Sequence, residues 1–402
     1  MNKDGVGGIK LKKYHAYIQY TLMQIGVWAI YGVLLNYAQN YLLDIGLSNL
    51  FISSTLAIAS VGSVLFQMVL TELINKINKI TINRVIIGLT FIMILSCLMI
   101  LLTPISQIGV AIIYSLGIVC LQILPAFINA IGMSAIQSGR KVNFGISRGF
   151  GSLAYAVAAF LIGKWIIEAG NQIVLYTTIF LCLLIAVSST LFAYDQTNMI
   201  VKDNEERLNL IQFFLRHKKF SLFILGCILC AISHALTANY IYQITVSKGG
   251  TAREQGIAVA ISAVLELPVM FLFVYMVKKV RCDIWVIISG LFFSLKAFFI
   301  FLAPNVLGLY GAMTFQLFGF ALYSVSAVYY VGVVISPKYV VQGQSYLFSA
   351  TTIGSILALL IGGPVLEMLN VEVLMIIATL LGLAGFILFL ISSERVEKII
   401  TN

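Results

Sequence analysis

Charge is scarce in this 402-residue chain: Asp, Glu, Lys and Arg together make up 10% of it, where roughly a quarter is usual for a soluble domain. That scarcity excludes an ordinary water-soluble fold. The sequence also lacks a nucleotide-binding glycine motif, loops long enough to form an ATPase domain, a metal-ligand cluster, and any serine, histidine and acid arrangement. Enzymatic and ATP-driven readings fall away with them, and no cofactor is required. Cysteine is sparse, and its six copies (Cys97, Cys120, Cys182, Cys227, Cys230 and Cys282) lie inside or at the ends of apolar segments. They read as small buried hydrophobes, and the lone Cys227-x-x-Cys230 pair is too deep in an apolar run for a redox or zinc role. The short alternating segments of a membrane barrel are missing too.

What remains is hydrophobic: 60% of the residues, with a mean hydropathy of +1.02. The apolar runs are about twenty residues long, enough to cross the hydrocarbon core at about 1.5 Å per helical residue. Twelve spans are read at 14–36, 50–71, 82–103, 107–133, 147–167, 173–193, 219–245, 256–277, 284–303, 308–334, 344–366 and 373–392. The fold class is therefore an all-α polytopic membrane protein with 12 transmembrane helices. The basic start, MNKDGVGGIKLKKYHAYIQY, leads into an apolar stretch too long for a signal peptide and without a cleavage pattern. It is read as a cytoplasmic tail entering the first span.

The formal net charge of +10 suggests nucleic acid until its distribution is considered. With both termini in the cytoplasm, 20 of the 25 lysines and arginines fall on cytoplasmic segments, the others being Arg148, Lys164, Lys248, Arg253 and Lys296. The charge is a topology signal, so no nucleic-acid partner is expected, and the chain is placed in the cell inner (plasma) membrane. The longest polar connection, Tyr194 to Asn209, divides the spans six and six. The expected organisation is a bundle over 1–195, a cytoplasmic linker over 196–218 and a second bundle over 219–402, with a cavity between the bundles. A weak repeat agrees: Gly163, Glu168 and Asn171 match Gly362, Glu367 and Asn370 at a constant offset of 199, the register of two parallel repeats.

Three charged residues lie well inside spans: Arg148, Glu266 and Lys296. An unpartnered charge in lipid costs at least about 2.5 kcal/mol, so each is expected to face a bundle interior. Glu266 lies about 18 Å along its helix from Lys278, and Lys296 is about 19 to 20 Å from Asp283 on the returning helix, which puts both near the midplane. Such a pair either aligns two helices, switches a proton as water gains or loses access, or touches a solute. Pro268, two residues after Glu266, either shapes the site by freeing a carbonyl or merely kinks the helix. Arg148 shares a helical face with Ser152 and Tyr155: guanidinium and ring suit a polar, ring-containing solute, while a snorkelling interfacial arginine is the alternative. Further polar residues gather on the first span (Gln19, Gln24, Tyr31, Asn36), the fourth (Asn129), the seventh (His234, Asn239, Tyr240, Gln243) and the tenth (Gln316, Tyr323, Tyr329). These helices either line an aqueous path or bond to one another. His234 is read as a structural residue ahead of a proton relay, and Gln19 and Gln24 as residues near the water boundary.

Three stretches carry a family resemblance: RGFGSLAY at 148–155, LELPVMF at 265–271 and GLFFSLKAFFIF at 290–301. In them the chain resembles the major facilitator superfamily, in its lactose permease-like branch of proton-coupled oligosaccharide and nucleoside symporters. The resemblance implies two six-helix bundles, Arg148 on substrate hydroxyls, Tyr155 stacking on a ring, Glu266 in substrate binding or coupling, and Lys296 in place of the family's ninth-helix arginine. Asn129 stands at the family's fourth-helix carboxylate, and Gln316 is the one comparable side chain on the tenth helix, which puts galactoside specificity in doubt. The basic signature after the second span is eroded to Thr71 and Asn75, with Lys76 and Lys79 remaining as a weakened latch. The expected function is uptake of a small polar solute of the sugar or nucleoside class with a proton, by a chain working as a monomer in the bilayer. Substrate would meet Arg148, Tyr155, Asn129, Gln316, His234 and Lys296, while Glu266 and Lys296 couple the proton and Lys76, Lys79 and Pro268 act as gating or structural residues. The alternatives are a proton-coupled drug or metabolite exporter, and a sensor with a transporter fold.

Overall fold

In a bilayer every backbone amide must be satisfied within its own segment, and this sequence meets that demand with helices throughout its described residues. The computed structural model describes residues 4–76, 81–137, 140, 142–192, 210–336 and 339–394. Among the described residues, twelve stretches are long and apolar enough to cross a membrane, the number read from the sequence. The chain is a multi-pass membrane protein. It divides into two compact units, Met1–Ser48 with Thr55–Lys202 and Asn49–Ser54 with Asp203–Asn402.

The first unit opens with α1 (Asp4–Ile30), which passes through a π-helical turn, Tyr31–Leu35, into the short α2 (Ala38–Asp44). Its first span therefore runs to Asp44, past the expected end at 36, because the wide turn bends the helix without stopping it. Gly46, at φ 89°, does stop it, in a conformation open to glycine. Then follow α3 (Asn49–Lys76), α4 (Ile82–Leu102), α5 (Gln107–Gln137), α6 (Phe144–Ala169) and α7 (Ile173–Leu191). Side-chain caps fix two starts: Thr81 accepts from the Arg84 amide and Asn143 from that of Ile146, each satisfying a donor that a helix N-terminus leaves open.

The expected linker lies largely on residues outside those described. Its end is the short helix α8 (Leu210–Arg216), whose Phe213 is buried in the aromatic core of the second unit against Tyr346, Phe220 and Tyr339. The second unit continues with α9 (Lys218–Asn239), α10 (Ile241–Ser247), α11 (Ala252–Lys279) and α12 (Cys282–Leu302). After α13 (Val306–Met313) comes one 3₁₀ turn, Thr314–Leu317, and then α14 (Phe320–Val334), α15 (Val340–Met368) and α16 (Val371–Ser392).

Four helix pairings repeat between the two units. In the first, α1 meets α6 and α7, and α4 meets α5 and α7; in the second, α9 meets α15 and α16, and α12 meets α14 and α16. The correspondence reaches single residues. Tyr37 and Tyr240 sit where the first span of each unit breaks, at φ −101°, ψ 11° and φ −110°, ψ 20°. Tyr37 donates its hydroxyl to the Ala159 carbonyl at 2.7 Å, and Tyr240 donates to that of Leu359 at 3.1 Å. The acceptors lie on the fifth span of each unit, within one residue of the 199-residue register.

Candidate functional site

In the first unit, a stripe on α1 builds the site. Tyr20, Gln24, Trp28 and Tyr31 follow at steps of four, four and three, which places them on one helical face. Gln24 is 1% exposed, and both its amide donors and its carbonyl oxygen are engaged. Its Nε2 donates to the Tyr20 hydroxyl at 2.7 Å and to Asn129 Oδ1 on α5 at 2.9 Å, while its Oε1 accepts from Trp28 Nε1 at 3.1 Å. Gln24 thus pins the indole, and does not sit at the water boundary where the sequence put it. Over the indole lies the Arg148 guanidinium, 3.7 Å from the ring centroid, and its Nη1 donates to Ser152 Oγ on the same helix at 2.7 Å. Tyr31 stacks against Trp28 with centroids 5.1 Å apart. Such a cation on an indole face gains about 0.5 to 2 kcal/mol, more as water is excluded.

A missing side chain makes this geometry possible. A Cβ on Gly151 would stand 2.5 Å from Trp28 Cδ1, so only glycine lets α6 come this close to α1. The aromatic ring against Arg148 is consequently Trp28, from another helix, whereas the sequence pointed to Tyr155. Tyr155 is half-buried further along α6, and its carbonyl would lie 2.7 Å from a Cβ at Gly32, a second close approach of α6 to the first span.

The second unit brings its charges together through an amide. Lys296 on α12 and Gln316 in the 3₁₀ turn are 5% and 4% exposed. Lys296 Nζ donates to Gln316 Oε1 at 2.8 Å, and Gln316 Nε2 donates to Glu266 Oε1 on α11 at 2.9 Å. A 3₁₀ turn advances three residues where an α-turn advances 3.6, so it swings Gln316 off the face a regular helix would give it. Both bonds involve a charged partner, a class worth about 1.5 to 3 kcal/mol each, enough to offset much of the cost of holding charge at this depth. The start of α12 is tied down separately, by Arg281 in a two-pronged contact with Asp283: Nε to Oδ1 at 3.1 Å and Nη2 to Oδ2 at 2.7 Å.

His234 on α9 borders this chain, stacked on Phe320 at 4.3 Å and 10° and within electrostatic reach of Lys296. Its Nδ1 is buried without a hydrogen-bond partner among the described residues, so its contacts are those of a packed ring. Pro268 lies within an unbroken α11 with its ring exposed, so any carbonyl it frees is on the turn at Val264. Lys76 is the last residue of α3, its side chain outside the described part, and Lys79 lies outside the described residues altogether. All six cysteines are buried free thiols. Thus Asn129 and Arg148 join one cluster, and Glu266, Lys296 and Gln316 another with His234 at its edge. Trp28 is the residue that sequence reasoning missed. Its place four residues after Gln24, with Gly151 opposite, was the available signal.

Comparison with solved structures shows the same architecture elsewhere. The crystal structure of the nucleoside transporter NupG aligns with a TM-score of 0.79 at 14% identity, over 94% of this chain and 99% of that one. The structure of a point mutant of that transporter aligns at 0.80 and 15%, over 94% and 100%. A bacterial homolog of the human lysosomal transporter Spinster, in an inward-facing and unoccupied conformation, aligns at 0.65 and 12%, over 95% of each chain. At these identities the likeness is one of fold, the major facilitator fold of twelve spans. A sequence search of the curated proteins gives no match. The model of the MFS_1 like family does match, over residues 17–369, and the chain belongs to that family.

Proposed function

We propose that this protein is a secondary transporter that carries a small polar organic solute with a proton by alternating access. Its place is the cell inner (plasma) membrane, with both termini in the cytoplasm. The observation that carries the reading is the chain Lys296, Gln316, Glu266: a carboxyl deep in a span, held by one amide, with a second charge at the other end. A carboxyl so placed exchanges a proton when water reaches it and keeps its charge state when water is shut out, which ties protonation to access. Arg148 supplies the fixed cation, its donors directed at solute oxygens from a seat on Trp28. Within the sugar and nucleoside class, nucleosides come first, because the structures aligning at 0.79 and 0.80 are described as a nucleoside transporter. Asn129, where a carboxylate would suit a galactoside permease, favours the same order.

The test is uptake into proteoliposomes across a panel of nucleosides and sugars, with and without an imposed proton gradient. Wild type is expected to accumulate a nucleoside against its gradient only when the interior is alkaline. Glu266→Gln is expected to lose that accumulation while exchange at equal concentrations persists in part. Accumulation by Glu266→Gln equal to wild type would overturn the coupling role.

A further inference from the structure

An ammonium group has donors and no acceptor, so Lys296 dictates how the Gln316 amide faces: Oε1 toward the lysine and Nε2 toward the glutamate. The consequence falls on Glu266. Its Oε1 must remain an acceptor for as long as Nε2 points at it, and a proton arriving at the carboxyl therefore belongs on Oε2. Turning the amide over would free Oε1 but would set the NH₂ against the ammonium. The charge of Lys296 thus locks the amide, and the locked amide sorts the two oxygens of the carboxyl.

We propose that Gln316 is a positioning residue that transmits the charge state of Lys296 to Glu266, so that the three side chains respond to protons as one group. The proposal rests on the reading of Glu266 as the proton-carrying carboxyl. Hydrogen bonds in series polarise one another in a low-dielectric interior, which strengthens such transmission. Among the described residues, His234 from α9 lies within electrostatic reach of Lys296, and Tyr323 from α14 packs on Phe293 of α12 with Cys227 and Cys230 close to it. The single 3₁₀ turn matters here because it presents Gln316 to α11 and α12 at once.

The test reads the carboxyl directly, by infrared titration of the protonated C=O band in purified protein reconstituted in liposomes, taking Glu266→Gln as the blank. Gln316→Met, nearly isosteric and without a donor, is expected to displace the titration by on the order of one pH unit and to move the band frequency. Lys296→Met is expected to displace it as well. In the double variant the two displacements are expected to fall well short of their sum, the mark of residues acting through one another. If Gln316→Met is not recovered folded, Gln316→Asn serves instead, since its shorter arm cannot meet both partners, and the same non-additivity is expected. Additive displacements would overturn the proposal, as would an unmoved band in the Gln316 variant or a band absent from wild type at every pH. Failure of the transport reading looks different: no tested solute accumulates, while the coupled band displacements remain.

Discussion

The two units share four helix pairings, yet they hold their buried charge in different ways. In the first, a guanidinium lies on an indole and bonds a serine hydroxyl, and the indole is pinned by an amide that also bonds a tyrosine and an asparagine. In the second, an ammonium and a carboxyl share one amide between them. Arginine keeps its charge at any pH a cell meets, whereas lysine and glutamate exchange protons when their surroundings change. The proposed function thus assigns a constant attractor to one unit and a responsive group to the other.

The comparison is broken most severely by making the constant charge responsive. Arg148→Lys keeps a cation but loses the planar fork and its fit to the indole. The half-saturating solute concentration in proteoliposome uptake is expected to rise at least about tenfold, equivalent to about 1.4 kcal/mol. Proton-driven accumulation at saturating solute should persist, since Glu266 is untouched; if accumulation collapses while affinity holds, the division of roles is wrong.

A smaller effect sharpens the same point from the other side of the contact. Trp28→Leu removes the seat and leaves the arginine, with an expected loss of affinity of about threefold to tenfold, or roughly 1 kcal/mol. Gly151→Ala is expected to reach a similar loss by pushing the indole aside. Solute affinity equal to wild type in both variants would show that Arg148 does not depend on its indole.

The smallest effect tests what the units share. Tyr37→Phe and Tyr240→Phe each remove a buried hydroxyl from the break in a first span, at a cost of about 1 kcal/mol. Apparent melting in detergent is expected to fall by a few degrees for each and by nearly the sum for both. A drop confined to one of them would mean that the repeated bond does not perform the same work twice.

The spans, their number and the three deep charges were legible in the sequence because they depend on composition, and composition along a helix is local. Asn129 and Gln316 were legible too, as polar side chains inside apolar spans. Trp28 was not, since its role depends on Gly151, more than a hundred residues later, being small enough to admit it. Nor was the bridging geometry of Gln316: the stretch AMTFQLFG carries no proline to announce a 3₁₀ turn, and without that turn the side chain would lie on a different face. Gln24 shows the same limit in reverse. A glutamine early in a first span looks like an interfacial residue until the tyrosine, indole and asparagine that bond it are in place.

Gly151 has no side chain to bind, donate or titrate, yet the arginine keeps its bearing through it. In genetic terms it is a position where the most conservative replacement available, one methyl group, should give the phenotype of damage to the charged residue one helical turn before it. An allele there would read as a mild packing change and, on the proposed function, behave as a change in what the protein recognises.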